Sequence, residues 1–480
     1  MEMLNFKKIS SIHFIGIGGI GISAIARMFL RQAQNKFSLV EVRGSDEAES
    51  DVTEELRKLG ARVFIGQKAR NVPAECDLVI YTIAVTPDNP EFAEAKRRGI
   101  HMMSYPEALG EIARGKFTIA VSGTHGKTTT TAMIAKIMIE AGLDPTVVIG
   151  SFLTRSDLVQ QGRTLLYRGK GRTNFIAGEG RYLVAEACEY RRSFLHLSPK
   201  ILVITNIDAD HLDYYNDLDD IESGFRELAA KVPEDGAVIC DFSDTRAKRV
   251  ASTGKGRVID FGKFLTKVPK LLVPGVHNKK DAAAALAVAE LLGVGLASAG
   301  KSLAGFSGAA RRFEFRGRAN NGALVYDDYG HHPTEIEAIL QGARELFPLN
   351  KGGAVVPEGG VVSSRKGGAS GGLSPKIVVV FQPHLYSRTK QHLHGFITVL
   401  KEANSVIVLP IYPAREEDPG DISSQMLADG VRKSGGDAHM AATLAEAAKL
   451  ALKFSSRGDI IITLGAGETN KVADILVKNN

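Results

Sequence analysis

Val121-Ser122-Gly123-Thr124-His125-Gly126-Lys127-Thr128-Thr129-Thr130-Thr131 is a glycine loop set between two regular elements. Before it, Lys116 to Ala120 is a short apolar and β-branched run that reads as a buried strand. After it, Ala132 to Ala141 reads as a helix, with Gly142 as its C-cap. Strand, tight loop and helix form a phosphate cradle, because backbone N–H groups and the positive end of the helix dipole converge on one anion. In that arrangement Lys127 reaches the terminal phosphates of a nucleotide, and the Thr128 hydroxyl sits on a magnesium ion. The strict P-loop pattern has glycine where Val121 stands, so the match is partial. The competing reading is a glycine turn followed by an ordinary lysine.

A second glycine loop lies upstream. Ser11 to Ile15 reads as a strand, Ile20 to Leu30 as a helix, and Gly16-Ile17-Gly18-Gly19-Ile20-Gly21 joins them. Gly16, Gly18 and Gly21 fit the dinucleotide fingerprint of tight turn, close approach to a pyrophosphate and close helix packing. A strand over Phe37 to Val42 follows and runs out at Gly44-Ser45-Asp46, where Asp46 takes the place of a ribose-binding acid. Residues alone therefore predict a Rossmann-type unit for a ligand with a pyrophosphate, a turn that only packs being the alternative. Helices over 51–59 and 90–98 alternate with strands over 61–65 and 78–81, and the loop Thr82-Ile83-Ala84-Val85 follows the last. Such alternation predicts a parallel sheet with its ligand at the carboxyl edge.

Beyond the phosphate loop, acidic groups cluster at strand ends. Tyr182 to Ala185 leads into Glu186-Ala187-Cys188-Glu189, and Ile201 to Thr205 into Asn206, Asp208, Asp210, His211 and Asp213. Hard oxygen donors suit magnesium, and crowded carboxylates repel unless a cation is near. Gly275-Val276-His277-Asn278 opens an alanine-rich helix over 281–292, a place for a nucleotide or for plain capping. Arg311-Arg312-Phe313-Glu314 marks the entry to a third segment. There Leu324 to Tyr326 ends in Asp327-Asp328-Tyr329-Gly330-His331-His332-Pro333, before a helix over 336–346. Paired carboxylates and paired histidines at a strand end are costly without a function. Eight glycines between Gly352 and Gly372 mark an insertion with few apolar residues. Strands over 377–381, 405–409 and 459–464 complete the pattern, the first leading to His384 and Arg388.

The bulk numbers agree with a multidomain enzyme. A chain of 480 residues exceeds one core and predicts about two to four domains. It is 44% apolar and 24% charged, with net charge +6 and scattered lysines and arginines, which suits anionic small molecules more than nucleic acid. Three distant cysteines, Cys76, Cys188 and Cys240, give no disulfide framework and no zinc pattern. No apolar run is long enough for a membrane span, and the opening residues lack a signal-peptide core, so a cytoplasmic enzyme is expected.

Taken in order, these motifs resemble the Mur ligase family, the ATP-dependent amide-forming enzymes of peptidoglycan synthesis. The motifs are Gly16–Gly21, Gly123–Thr130, Glu186–Glu189, Thr205–Asp213, Gly275–Asn278, Asp327–Glu335, Phe381–His384 and Ile411–Ala414. The resemblance implies α/β architecture in three domains: a Rossmann-like UDP-sugar domain over 1–114, a P-loop-type ATPase domain over 115–310, and a Rossmann-like open-sheet domain over 311–480. The third would bring the amino acid and carry a flexible glycine-rich insertion near 349–375. It implies ligation of L-alanine to the carboxylate of UDP-N-acetylmuramate through an acyl phosphate, with ATP and Mg2+ as cofactors. A sister reaction that attaches a recycled peptide is the alternative. So are a nicotinamide-dependent dehydrogenase using Gly16 to Gly21 and a non-catalytic nucleotide-binding regulator. The partners implied are those two substrates only, for a monomer or homodimer.

The same resemblance assigns roles. The UDP-sugar would meet Gly18, Gly19, Ile20, Ser45, Asp46, Thr82 and Ala84. ATP would meet Gly123, Thr124, His125, Gly126, Lys127, Thr128 and Thr129, with His277, Asn278, Arg312 and Asp327. Thr128, Glu186 and His211 would hold the metal. Tyr329, His331, His384 and Arg388 would line the amino-acid pocket, and Lys127, His211, His331, His384 and Arg388 would be catalytic. Four departures stand out: Leu385 where arginine is usual, Asp281 near a usual asparagine, Glu468 for aspartate, and a short 241–275 stretch.

Overall fold

Strands whose residues are apolar throughout are buried on both faces, and the runs over 78–80, 201–204 and 378–381 stand that way inside the three sheets of this chain. The computed structural model describes residues 6, 9–34, 40–153, 173–212, 214–346, 375–414 and 416–478. The glycine-rich run over 349–374, Asp213, and residues 37–39 of the expected 37–42 strand lie outside the described residues. The chain forms two compact units, residues 1–268 with 281–303, and residues 269–280 with 304–480.

The first unit holds two sheets. One contains β1 (Ser11–Ile15), β2 (Glu41–Asp46), β3 (Arg62–Ile65), β4 (Leu78–Tyr81) and β5 (His101–Ser104) in the order β3-β2-β1-β4-β5, all parallel. The strand expected over 37–42 begins instead at Glu41 and runs through Gly44-Ser45-Asp46, because Gly44 to Asp46 continue the pairing with β1 and β3. Strand order reverses between β1 and β4, so a crevice opens beyond Ile15 and Tyr81. Gly16 and Thr82 stand there.

The other sheet contains β6 (Phe117–Ser122), β7 (Thr146–Leu153), β8 (Thr173–Ile176), β9 (Tyr182–Glu186), β10 (Ile201–Ile204), β11 (Ala237–Cys240) and β12 (Arg257–Asp260). Its order is β12-β11-β10-β6-β9-β7-β8, and only the β7–β8 pair is antiparallel. β6 lies between β10 and β9. The loops after these three strands therefore meet at one edge. The helix after β6 starts at Lys127, five residues earlier than its apolar pattern suggests, and ends at Glu140. Threonine is a poor helix former, but here the run is tolerated because its hydroxyls find partners. Thr131 Oγ1 donates to Lys127 O at 2.8 Å and Thr130 Oγ1 to Asp281 Oδ1 at 3.0 Å. The alanine-rich helix likewise begins early, at Val276, and residues 282–289 are buried throughout.

The second unit holds β13 (Glu314–Arg318), β14 (Leu324–Asp328), β15 (Ile377–Phe381), β16 (Ser405–Val408), β17 (Ala438–Met440) and β18 (Ile460–Leu464), ordered β13-β14-β18-β15-β16-β17. Only β13 is antiparallel to its neighbour. The core of β14, β15 and β18 is wholly buried, and their ends present the third cluster of polar residues. The fold is thus α/β with three sheets. No described helix is long and apolar enough to cross a membrane.

One buried charge ties two helices of the central sheet together. Glu222, on the helix Leu218–Ala229, has no exposed side-chain surface and pairs with Arg226, Arg246 and Arg249, the last two on the helix Thr245–Ala251. Arg249 foremost draws the Glu222 carboxyl from 4.5 down to about 2. A carboxyl depressed by folding stabilises above its unfolded pKa and loses that effect as pH falls toward the folded value. Glu222→Gln should therefore cost about 2 kcal/mol at pH 7, after discounting for the partly exposed arginines. Denaturant midpoints should show the gap to the unsubstituted protein closing between pH 5 and pH 2.

Candidate active site

Gly16 sits with φ +79° at the end of β1, and a Cβ there would lie 2.6 Å from Thr82 Cγ2. Only glycine lets the two strand ends meet so closely. The N–H groups of Gly16 and Ile17 both donate to Ser45 O at 2.9 Å, so the end of β2 carries the start of the loop. Ser45 is itself fully buried, and its hydroxyl donates to Glu91 Oε2 at 2.6 Å. Glu91 also accepts from Asn71 Nδ2 and Lys68 N and pairs with His13 Nε2 at 2.8 Å. Ser45 thus holds the loop from behind. Asp46 accepts from Gly18 N at 2.8 Å through Oδ2, so a carboxylate rests on the backbone donor that the sequence reading assigns to a pyrophosphate. Ile20 O accepts from Asn174 Nδ2, on β8 of the neighbouring sheet. Ala84 lies in the loop after β4.

The second cradle is built the same way. Gly126 N-caps the helix with φ +81°, and the N–H groups of Lys127, Thr128 and Thr129 have no acceptor within the helix. A Cβ on Gly126 would lie 2.4 Å from Asp281 Oδ1. The loop is buckled down by residues after β10. His125 N donates to Asn206 Oδ1 at 2.9 Å, Thr124 N to Asn206 O at 3.1 Å, and Thr205 Oγ1 to His125 O at 2.5 Å. Thr124 Oγ1 exchanges hydrogen bonds with the backbone of Asp208, whose carboxylate lies 3.5 Å from His125 Nε2.

Lys127 Nζ donates to Gly123 O at 2.5 Å and Thr124 O at 2.9 Å, and pairs with Glu189 at 2.9 Å. Burial works against the charge on Lys127, and Glu189 together with Cys188 and Glu186 outweighs it, holding the ammonium above its usual range. His211 Nε2 lies 3.6 Å from the same Glu189, in a backbone with φ +56°. Thr128 Oγ1 donates to Glu186 at 3.0 Å, and Gly150 N donates to Glu186 Oε2 at 2.8 Å. Of the residues expected at the metal, Thr128 and Glu186 touch, while His211 is joined to Lys127 through Glu189. Glu189, Gly150, Asn206 and Glu91 carry the geometry without having been singled out for a role. Glu189 was legible in its acidic motif. Glu91 was not, because it belongs to a helix far along the chain.

Oxygen donors beside unpaired helix N–H groups suit a nucleotide phosphate with a divalent cation. The cradle therefore fits ATP and Mg2+ chemically.

The second unit assembles the other candidates. Asp327 is wholly buried, with Oδ1 taken by Thr463 Oγ1 at 2.6 Å and Oδ2 by Arg311 Nε at 3.0 Å. It anchors Arg311, which also donates to Gly465 O, Gly467 O and Thr469 Oγ1. Burial pushes Asp328 up to about 6, against the pull of Arg312 and the N–H groups of Gly330 and Phe313. Arg311 and Arg312 flank the Tyr329 ring at 5.1 and 5.5 Å. Burial lowers His277 to about 4, and Asn278 Nδ2 donates to Pro274 O at 2.5 Å. Tyr329, His331, His384 and Arg388 form one row: ring centroids are 5.3 Å apart for the first pair and 6.0 Å for the second, and Arg388 Nη1 lies 3.5 Å from His384 Nδ1. His384 also stacks on Tyr412 at 5.7 Å. Leu385 is buried with φ +69° and donates its N–H to Tyr412 O, so it shapes the turn that carries His384. Glu468 N donates to Gln382 Oε1.

Two glycine loops on the two sheets of the first unit, followed by an open-sheet segment with paired histidines, are the layout of a multidomain ligase. Family models bear this out: the Mur ligase family, catalytic domain, matches residues 11–117, the Mur ligase middle domain residues 121–267, and the Mur ligase, glutamate ligase domain, residues 311–467. The chain belongs to the Mur ligase family. A UDP-N-acetylmuramate–L-alanine ligase of Acetivibrio thermocellus is 36% identical over 100% of this chain and 98% of its own length. One of the same name from Geobacter sp. is 38% identical over 98% of each. Among solved structures, UDP-N-acetylmuramate-alanine ligase of Thermotoga maritima aligns with TM-score 0.73 at 28% identity, covering 98% of both chains. A murein peptide ligase of Psychrobacter arcticus shares the fold, at TM-score 0.65 and 21% identity over 97% of this chain and 98% of its own.

Gly126→Ala tests the cradle directly. Positive φ and the approach of Asp281 both oppose a Cβ there, and the nucleotide site should suffer most. Affinity for a non-hydrolysable ATP analogue should fall at least about tenfold, roughly the strain converted to binding. UDP binding should stay unchanged in the same calorimetric titrations.

Proposed function

We propose that this chain joins L-alanine to the carboxylate of UDP-N-acetylmuramate, consuming ATP and releasing ADP and phosphate in peptidoglycan precursor synthesis. The observation that carries the reading is the pairing of two separate anion cradles within one compact unit, one ending in Gly18 and Asp46, the other in Lys127 and Glu189. The relatives at 36–38% identity with full coverage bear the alanine-ligase name. Attachment of a recycled peptide rests on likenesses of 21% and 24% identity, which speak to fold. Roles divide along the chain as UDP-sugar binding over 1–114, ATP binding over 115–310 and amino-acid binding over 311–480.

A carboxylate and an amine do not condense in water, because oxide is a very poor leaving group. Phosphorylation of the muramyl carboxylate makes phosphate the leaving group, and the alanine amine then displaces it. The work of the protein is positioning and charge neutralisation. The Lys127 ammonium, kept protonated beside Glu189, neutralises the transferring phosphoryl oxygens. The loop N–H groups after Gly126 hold the remaining phosphate oxygens. Thr128 and Glu186, with His211, would hold Mg2+, which supplies charge neutralisation between the two anionic substrates when bound. Arg388, braced by His384, takes the alanine carboxylate, while Tyr329 and His331 close the pocket around a small side chain.

A mass-spectrometric product assay with UDP-N-acetylmuramate, ATP and mixed amino acids should show the L-alanine amide. ATP hydrolysis should require both acceptor and amino acid, and hydrolysis indifferent to both would defeat the reading. Lys127→Ala should cost at least about 10³ in turnover, the scale of a lost transition-state charge contact, with UDP-sugar affinity intact. His384→Ala should raise the alanine KM, and an unchanged value would move the amino-acid pocket elsewhere.

A further inference from the structure

Directly after the Glu186–Glu189 stretch, two consecutive arginines adopt left-handed backbone, Arg191 at φ 51°, ψ 30° and Arg192 at φ 54°, ψ 26°. Side chains with a Cβ avoid this region, so a pair in succession needs support from its surroundings. For Arg192 the support is plain. Its guanidinium bonds to Asp220 at 2.8 Å and to Glu227, both on the helix Leu218–Ala229. The backbone is pinned as well, by Arg192 N to Glu189 O at 2.8 Å and Phe194 N to Cys188 O at 3.0 Å.

Arg191 has no such counter-ion. Among the described residues no carboxylate forms an ion pair with it, and its guanidinium makes a single hydrogen bond, from Nη1 to Ile83 O at 2.8 Å. It lies over the Tyr190 ring at 5.5 Å and is exposed. Ile83 follows Thr82, the residue packed on Gly16 at the mouth of the first cradle. Two residues before Arg191, Glu189 grips Lys127 in the second. The turn thus extends a cation with uncommitted N–H donors from the nucleotide loops of the central sheet to the edge of the sugar-nucleotide loops. Arginine recognises anionic oxygens through just such a fork of donors.

We propose that Arg191 is a substrate-binding residue, its guanidinium taking an anionic oxygen of the sugar nucleotide held by the first sheet. This rests on the function proposed above and adds a contact from the central segment to that ligand. The left-handed turn exists to aim Arg191, and Arg192 is the anchor that holds the turn.

Calorimetric titration of the full chain without ATP tests it. The variants are Arg191→Gly, which keeps the left-handed turn and removes the guanidinium, and Arg191→Lys, which keeps charge but not the fork. Arg191→Gly should weaken UDP-N-acetylmuramate binding by about 10- to 100-fold, the range for a lost hydrogen bond to a charged group. Arg191→Lys should recover part of the loss, while affinity for an ATP analogue and the thermal midpoint stay within error. UDP-N-acetylglucosamine, which has the diphosphate but no lactyl carboxylate, separates the two acidic groups. A penalty on both ligands assigns the contact to the diphosphate, and a penalty on the muramate alone assigns it to the carboxylate. Equal binding by Arg191→Gly and the unsubstituted protein overturns the proposal, as does an equal loss for sugar nucleotide and ATP analogue. If the unsubstituted protein itself binds neither sugar nucleotide, it is the broader functional reading that fails.

Discussion

The buried contact between Lys127 and Glu189 is the constraint on which the rest of the first unit hangs. An ammonium withdrawn from water is costly, and the carboxylate delivered to it from the end of the neighbouring strand opposes that cost. That delivery requires β9 beside β6, a register that pairs Val121 with Glu186, and a turn that folds Glu189 back over the loop. Tyr215 fixes the turn by donating its hydroxyl to Glu189 O at 2.5 Å. Loosening any of these would leave a buried charge uncompensated, so the arrangement is rigid where chemistry needs rigidity.

The same logic recurs in the first cradle, with a different charge. Gly18 N meets the Asp46 carboxylate, so both glycine loops rest against carboxylates of the chain itself. Behind Asp46, the buried Glu91 gathers His13, Ser45, Lys68 and Asn71, and through Ser45 O it sets the position of Gly16 and Ile17. A carboxylate with that many donors inside an apolar sheet is a fixed point, which suits a scaffold for a loop that must not wander.

Much of this was legible in the chain. The glycine loops announce themselves because glycine best tolerates positive φ and alone lets a neighbour approach closer than a Cβ allows. Polar residues crowded after an apolar run mark strand ends. What periodicity misplaced were element boundaries. The helix after β6 begins at Lys127 because its threonines are satisfied by Glu186, Asp281 and Lys127 O, none of which a local pattern contains. Asp327 is expected at the nucleotide, and its burial and its bond to Arg311 could not be read from the chain.

The sequence by itself determined the α/β class, the two glycine loops and the family, because these depend on local backbone chemistry and the order of short motifs. Tertiary structure alone decided which carboxylate meets which cation. Glu189 on Lys127, Glu186 on Thr128, Glu91 behind Ser45 and Arg191 at Ile83 all join residues dozens of positions apart. The physical reason is that strand order, not chain order, sets neighbours at a sheet edge, and electrostatic interactions act over a few ångströms of space whatever the distance along the chain.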